Sequence, residues 1–212
     1  MITALFDLDG VILDTETQYT KFWTQIGRRY FPENVNFAQE IKGRVMKDIG
    51  AIYFPNPDLF AKVYKELNDF EAGMKYPFIA GVKSFVQQLQ EAGVKSAVVT
   101  SSDQAKMENV YREYADFRNL FTRILTAEDF SRPKPYPDCY LQAAKVLNAS
   151  IEDCVVFEDS VNGLKAARSA NMFVVGLSTT LPREEVCKYA NYVIPDFSNL
   201  SLEEIEKMSS HA

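Results

Sequence analysis

From Phe78 onward, short apolar runs rich in β-branched residues alternate with segments of helical periodicity. The runs are KSAVVTS (95–101), RILTA (123–127), CVVFED (154–159), FVVGLS (173–178) and YVIP (192–195). The opening ALFDLDG is a further run of the same kind. Apolar runs of this length, separated by helix-sized segments, are typical of a parallel sheet covered by helices on both faces. The chain is therefore predicted to be an α/β protein.

Helices are predicted between these runs, over 82–92, 104–114, 138–147 and 161–170. The first has the clearest pattern, because its apolar residues recur at the spacing of one helix face. Those residues are Val82, Phe85, Val86 and Leu89. Gly93 follows them and is a residue type at which helices commonly end.

Residues 15–79 interrupt the alternation with two helical stripes and no convincing strand. The stripes are Tyr19, Phe22, Trp23, Ile26 and Tyr30, then Phe60, Val63, Tyr64, Leu67 and Phe70. Asn56 is the predicted N-cap of the second helix, Pro57 its first residue and Gly73 its stop. The aromatic residues of both stripes are interpreted as core.

This interruption predicts an all-helical insert over 15–79. The rest of the chain, 1–14 and 80–212, would then form the sheet and its covering helices. The chain would cross between the two parts at Asp14–Thr15 and at Pro77–Gly81. Such an insert would lie over the carboxyl edge of the sheet.

The composition argues against several classes of function. Lys plus Arg is 23 and Asp plus Glu is 29 among 212 residues, and the net charge of −6 disfavours nucleic acid as a partner. No stretch of about 18 apolar residues occurs, and the start MITALFDLDG lacks a basic leader, so no membrane partner is expected. The sole histidine, His211, lies in a polar tail, which excludes Ser-His-Asp and Cys-His catalysis and His-ligated zinc.

The cysteines are Cys139, Cys154 and Cys187, an odd number with no CxxC pair. This usage suits neither a disulfide framework nor a structural zinc site. A reducing, cytoplasmic location is expected, and the chain is expected to be a monomer.

Asp7 and Asp9 follow the first apolar run, in FDLDG. Residues two apart in a strand face the same side, so both carboxylates would point out of a run that is otherwise buried. Like charges placed together in this way need a cation. The alternative is a hairpin turn closed by Asp9 and Gly10, since two-residue DG sequences often form one.

Glu158 and Asp159 end another apolar run, in VVFEDS. Adjacent acids at the mouth of a parallel sheet repel each other unless they are compensated. Together with Asp7 and Asp9 they would form an oxygen-rich cage that suits Mg²⁺ better than zinc or copper. The alternative interpretation makes Asp159 or Ser160 the N-cap of the next helix.

Hydroxyl groups and a lysine complete the candidate site. Thr100, Ser101 and Ser102 end AVVTSS, where hydroxyls and backbone N–H groups can hold a phosphate, or simply cap the helix that begins at Gln104. Lys134 lies between prolines in RPKPYPD, a stiff loop that would orient its ammonium group. Taken alone, this lysine is interpreted as a solvated surface residue.

The order of these groups identifies a family resemblance. FDLDGVILDTE, VVTSS, RPKPYPD and VVFEDSVNGLKAARSANM resemble the four signature motifs of the haloacid dehalogenase superfamily. More narrowly, they are similar to those of its branch of β-phosphoglucomutases and small sugar phosphatases with a helical cap. The resemblance implies a Rossmann-like core with a cap over 15–79, a Mg²⁺ cofactor and a small phosphorylated metabolite as substrate.

The resemblance also implies roles for the acidic residues. Asp7 would attack phosphorus and form an aspartyl phosphate, and Asp9 would protonate the leaving oxygen and then activate water. Mg²⁺ would be held by the Asp7 carboxylate, the Asp9 carbonyl oxygen and Asp159, with Glu158 close by. An acid two positions after the nucleophile points to phosphorus rather than haloalkane chemistry.

Around the phosphate, the resemblance implies that Lys134 and Thr100 take up charge on the phosphoryl oxygens, with Ser101 and Ser102 as further binding residues. In the cap, the expected substrate-binding residues are Tyr19, Trp23, Gly43, Arg44 and Lys47. β-Phosphoglucomutases have a histidine where this chain has Tyr19 and an arginine near Met46. A phosphatase is therefore the preferred interpretation, and a phosphosugar mutase or a non-catalytic phosphate-binding module is the alternative.

Overall fold

A parallel sheet forms the centre of the fold, and its strands are the apolar runs of the sequence. The structure is a computed structural model that describes residues 2–42 and 44–210. Its strands are β1 (Thr3–Phe6), β2 (Ser96–Val99), β3 (Arg123–Leu125), β4 (Cys154–Glu158), β5 (Phe173–Leu177) and β6 (Tyr192–Ile194). Neighbouring strands all pair in parallel, in the order β3-β2-β1-β4-β5-β6. The predicted α/β fold with a Rossmann-like parallel sheet is confirmed.

The strand order places the acidic sequences next to each other. From β1 the chain builds outward through β2 to β3, and then returns to the other side of β1 to form β4. Asp7 directly follows β1, Glu158 ends β4, and Phe6 pairs with Phe157 in the register between these strands. In open α/β sheets the crevice at such a reversal, at the carboxyl ends of the strands, is where ligands bind.

The helices include every one that the periodicity predicts. They are α1 (Glu16–Tyr30), α2 (Phe37–Glu40), α3 (Met46–Tyr53), α4 (Pro57–Gly73), α5 (Val82–Glu91), α6 (Gln104–Glu113), α7 (Asp138–Leu147), α8 (Val161–Ser169), α9 (Arg183–Val186) and α10 (Leu202–Ser209). The four helices predicted between the strands end within one residue of the predicted positions. Within the described residues, none of these helices is both long and apolar enough to span a bilayer.

Each face of the sheet has its own apolar core. On one face Phe6 stacks on Phe157, with ring centroids 4.7 Å apart, and Phe85 of α5 packs against both rings. On the other face Leu5 and Val156 belong to a buried cluster that also includes side chains of α7 and α8. This arrangement of two covered faces explains why the strands have continuous apolar sequences rather than alternating ones.

The segment over 15–79 is helical throughout its regular structure and has a separate buried cluster that includes Trp23, Phe37, Phe54 and Val63. The two chain crossings run side by side: Leu13 bridges to Phe78, and the Asp14 N–H donates to the Pro77 carbonyl at 2.8 Å. The division of the chain into a domain at 15–79 and a domain formed by 1–14 and 80–212 stays a prediction.

Most predicted helix ends are found, with one correction. Asn56 caps α4 by accepting from two backbone N–H groups, and Gly93 has a φ of 68° directly after α5, while Gly73 is itself the last residue of α4. The interpretation of Thr100, Ser101 and Ser102 as the cap of α6 is wrong. Asp103 caps this helix, because its side chain accepts from the Lys106 N–H at 3.0 Å.

Candidate active site

Lys134 links the two acidic sequences at the reversal of the sheet. Its ammonium donates to Asp7 Oδ1 at 2.7 Å, to Glu158 Oε1 at 2.6 Å and to the Val99 carbonyl at 3.2 Å. The residue is only 3% exposed. The interpretation of Lys134 as a solvated surface lysine is therefore wrong, and its position allows one ammonium group to contact two buried carboxylates at once.

Glu158 uses both of its carboxylate oxygens within the protein. Oε1 accepts from Lys134 and, at 3.0 Å, from the Tyr140 hydroxyl. Oε2 accepts from the backbone N–H groups of Asp159 and Ser160, both at 2.9 Å. Glu158 is completely buried and, unlike Asp7 and Asp159, is not among the residues that line the adjoining cavity. This carboxylate is consequently placed to orient Lys134.

Asp159 differs from its neighbour because one of its oxygens has no partner. Oδ2 accepts from the Thr180 hydroxyl, whereas the buried Oδ1 has no hydrogen-bond donor. The backbone comes very close on this side: a Cβ on Gly10, whose φ is 74°, would lie 2.0 Å from Oδ2. Ser160, one of the two predicted caps, is the residue that caps α8.

These carboxylates form a set that fits a divalent cation. Ligand oxygens of Asp7, Glu158 and Asp159 lie within 4.8 Å of one another. Carboxylate oxygens are the ligands that Mg²⁺ takes, and a buried oxygen without a donor, as in Asp159, is satisfied by such an ion. The carboxylate of Asp9, the fourth predicted metal residue, does not belong to this group.

The Asp9 side chain is held elsewhere, by a lysine that sequence reasoning missed. Lys106 forms an ion pair with the Asp9 carboxylate. The Thr15 hydroxyl donates to Asp9 Oδ1, and the Ser102 hydroxyl donates to Asp9 Oδ2 at 3.0 Å. Each acid of FDLDG is thus paired with a lysine of its own, Asp7 with Lys134 and Asp9 with Lys106. The hairpin closed by Asp9 and Gly10 is also absent from the described residues, since β1 pairs only in parallel.

A sequence signal for Lys106 did exist. The buried residues of α6 are Lys106, Met107 and Val110, so the lysine lies on the apolar stripe of its helix. A single charged residue on such a stripe is more often explained by its alkyl stem covering apolar surface. Thr15 carried no comparable signal.

The phosphate-binding candidates form a tight turn beside Asp9. The Thr100 hydroxyl accepts from the Ser102 N–H at 3.0 Å, and Thr100, Ser101 and Ser102 all line the cavity that Asp7 and Asp9 also line. This cavity has a volume of about 910 Å³. It is large enough for a phosphorylated small molecule.

The structure places the predicted cap residues around this cavity, apart from Gly43, which lies outside the described residues. Tyr19, Trp23, Arg44 and Lys47 line it. Their chemistry differs: the Tyr19 hydroxyl donates to Glu71 Oε1 at 2.7 Å, Trp23 belongs to the apolar cluster, and Arg44 donates to the Glu40 carbonyl. Lys47 is exposed.

The site has more negative than positive charge. Burial raises the pKa of Asp7 to about 7, with further contributions from Glu158 and Asp9, although Lys134 opposes the shift. Burial also holds the pKa of Asp159 well above its usual range, and the charges of Glu158, Glu16 and Asp7 act in the same direction. Asp7 and Asp159 therefore need additional positive charge to be ionised together near neutral pH.

Comparisons with known proteins agree with this geometry. The chain matches the family model described as haloacid dehalogenase-like hydrolase over residues 4–177. It is 31% identical over 206 residues to the validoxylamine A 7′-phosphate phosphatase of Streptomyces hygroscopicus subsp. limoneus. The aligned region covers 93% of this chain and 94% of that relative.

Two solved structures share the fold. A HAD hydrolase of Entamoeba histolytica has a TM-score of 0.85 at 23% identity and covers 99% of this chain and 100% of its own. The β-phosphoglucomutase of Clostridium difficile has a TM-score of 0.81 at 25% identity and covers 100% of this chain and 98% of its own.

The packing of Glu158 against α8 generates a prediction for Gly163→Ala. A Cβ at this position would lie 1.5 Å from Glu158 Oε1, so the carboxylate has to move away from Lys134. We expect a loss of about 1–3 kcal/mol of unfolding free energy, measured by urea titration, together with a loss of catalytic rate. Gly73→Ala is the control, because no atom beyond the adjoining backbone of its own helix lies within 4 Å of its added Cβ. A Gly163→Ala variant as stable and active as wild type would contradict the described packing.

Proposed function

We propose that this chain, which belongs to the haloacid dehalogenase-like hydrolase family, is a Mg²⁺-dependent phosphatase of small phosphorylated metabolites. Family membership and the 31% identical phosphatase support a phosphoryl-transfer hydrolase. The observation that carries the proposal is the buried bridge from Lys134 to Asp7 and Glu158, with the partnerless oxygen of Asp159 beside it. Its cytoplasmic location and monomeric state stay predictions.

In the proposed reaction Asp7 is the nucleophile. An oxygen of its carboxylate attacks phosphorus, the bond from phosphorus to the leaving oxygen breaks, and an aspartyl phosphate forms. Asp9 donates a proton to the leaving oxygen and later takes one from the water that hydrolyses the aspartyl phosphate, which releases phosphate and regenerates Asp7. Lys134 and the turn at Thr100–Ser102 balance charge on the phosphoryl oxygens.

The residues that would hold Mg²⁺ are Asp7 and Asp159 through their carboxylates and Asp9 through its backbone carbonyl, with Glu158 close by. When bound, the ion would offset the repulsion between Asp7 and the incoming phosphate. The Asp9 carboxylate would then not be a metal ligand, which leaves it for proton transfer. Glu158 would support this arrangement by orienting Lys134, which supplies positive charge to Asp7.

A phosphosugar mutase is the second candidate, favoured by the similarity to a solved β-phosphoglucomutase. A mutase has to shield its aspartyl phosphate from water and grip a second phosphate while the intermediate turns round. The resemblance associates those tasks with a histidine at Tyr19 and an arginine near Met46, and this chain has neither. The phosphatase therefore remains the preferred proposal.

The first test is Asp7→Asn. The amide is isosteric with the carboxylate but is not a nucleophile, so we expect phosphate release from p-nitrophenyl phosphate to fall below detection while the protein stays folded by circular dichroism. Asp69→Asn, the same change at an exposed residue paired with Lys65, is expected to keep the wild-type rate. Wild-type turnover by Asp7→Asn would remove the assignment of the nucleophile.

The second test concerns the metal. We expect EDTA to abolish phosphate release, Mg²⁺ to restore it, and Ca²⁺ to inhibit it because Ca²⁺ takes more ligands in a looser geometry. Mg²⁺ should also raise the melting temperature of wild type more than that of Asp159→Asn, because a ligand that binds only the folded state stabilises it. Full activity after chelation would rule out the proposed cation site.

The third test separates hydrolase from mutase. We expect β-glucose 1-phosphate to be hydrolysed or left unchanged, and a sugar bisphosphate primer not to accelerate formation of glucose 6-phosphate. Coupling to glucose-6-phosphate dehydrogenase measures that product through NADPH. Primer-dependent NADPH formation at about 1 s⁻¹ or more, which is within the usual range of enzymes, would favour the mutase instead.

A further inference from the structure

Lys106 projects into the protein from the apolar side of α6. The residue is 1% exposed, and its ammonium contacts both oxygens of the Asp9 carboxylate. Thr15, which precedes α1, and Ser102, which follows β2, donate to the same carboxylate. Asp9 is therefore held by donors from two separate parts of the chain, Thr15 and the stretch from Ser102 to Lys106.

A buried lysine is costly unless its charge is compensated, and here the compensation comes from two sides. Besides Asp9, the ammonium lies 4.5 Å from the centroid of the Tyr19 ring. The Tyr19 hydroxyl donates to Glu71, and burial together with the charges of Asp9 and Glu71 holds the pKa of Tyr19 well above its usual value. The neutral ring is thus fixed over Lys106 by its own hydrogen bond.

We propose that Lys106 is the positioning residue for Asp9, holding this carboxylate at the wall of the cavity in the place from which it exchanges protons. The proposal rests on the acid–base role of Asp9 in the proposed function. Lys134 contacts Asp7 and Glu158, so among the described residues Lys106 is the lysine paired with Asp9. Proton transfer depends steeply on the placement of the donor, so loss of Lys106 is expected to impair the step that Asp9 serves.

The experiment compares two substrates. Phenolate is a poorer leaving group than p-nitrophenolate, so cleavage of phenyl phosphate depends more on a proton donor. The value of kcat/KM reports steps up to departure of the leaving group, and it is measured with Mg²⁺ for wild type, Lys106→Met, Asp9→Asn and the double variant. We expect Lys106→Met to lower kcat/KM for phenyl phosphate by about 10²-fold. The loss for p-nitrophenyl phosphate should be about tenfold or smaller. In the Asp9→Asn background, Lys106→Met is expected to cause no further change.

Controls separate this role from a general loss of structure. Lys95 donates to the Leu147 carbonyl and is not among the residues lining the cavity. Lys95→Met should therefore leave the substrate ratio unchanged, that is, kcat/KM for phenyl phosphate divided by kcat/KM for p-nitrophenyl phosphate. Lys106→Met leaves a carboxylate unpaired, so its melting temperature should be lower than that of the double variant with Asp9→Asn. If Lys106→Met does not fold, Lys106→Gln is judged by the same substrate ratio and the same double-variant comparison.

The outcomes distinguish this proposal from the one on which it rests. A wild-type substrate ratio in Asp9→Asn would remove the acid–base role of Asp9. A lowered ratio in Asp9→Asn together with a wild-type ratio in Lys106→Met would overturn the role of Lys106 alone. Equal losses for both substrates, or losses that multiply in the double variant, would likewise assign Lys106 a purely structural role.

Discussion

The bridge from Lys134 to Asp7 and Glu158 is the interaction on which the rest of the site depends. Two carboxylates at the end of a buried sheet are tolerated only if positive charge reaches both, and removing one partner of such a pair commonly costs about 3–5 kcal/mol. The strand order makes the bridge possible, because β1 and β4 are neighbours and deliver Asp7 and Glu158 to one point. The strand order thus brings the two carboxylates together, and the charge of Lys134 allows both to be buried there.

The acids of the site are distinguished by their partners rather than by their chemistry. Glu158 has every oxygen engaged, Asp9 is held by Lys106 and two hydroxyls, and Asp159 keeps one oxygen without a donor. Of the four acids in the two motifs, Asp7 and Asp159 therefore combine access to the cavity with capacity for a further ligand. The proposed roles follow this difference: Glu158 orients Lys134, Asp9 exchanges protons, and Asp7 and Asp159 hold a cation.

The sequence predicted the fold well because the relevant signals are local. Strand positions, the helices between them and the Asn56 cap follow from hydrophobic periodicity and capping chemistry over a few residues. The partners within the site are not local: Lys106 lies 97 residues from Asp9, and Lys134 lies 127 residues from Asp7. Lys134 was found through a motif, whereas Lys106 belongs to no motif that the resemblance supplied. Ser102, predicted as a possible cap, instead donates its hydroxyl to Asp9, a partner 93 residues away, while Asp103 caps α6.

The helical segment over 15–79, the predicted insert, is tied to the loops that follow β2 and β4. The Tyr64 hydroxyl of α4 donates at 2.5 Å to Asp103, the residue after Ser102. Asn162, three residues after Asp159, donates to the Lys42 carbonyl at 3.0 Å. These contacts fix the insert against the loops that follow β2 and β4. Since the insert also supplies the outer wall of the cavity, changes in its side chains can alter which leaving group fits while the bridge at Lys134 stays intact. Under the proposed function, substrate specificity can thus vary while the phosphate site stays constant, because the insert has a buried cluster of its own.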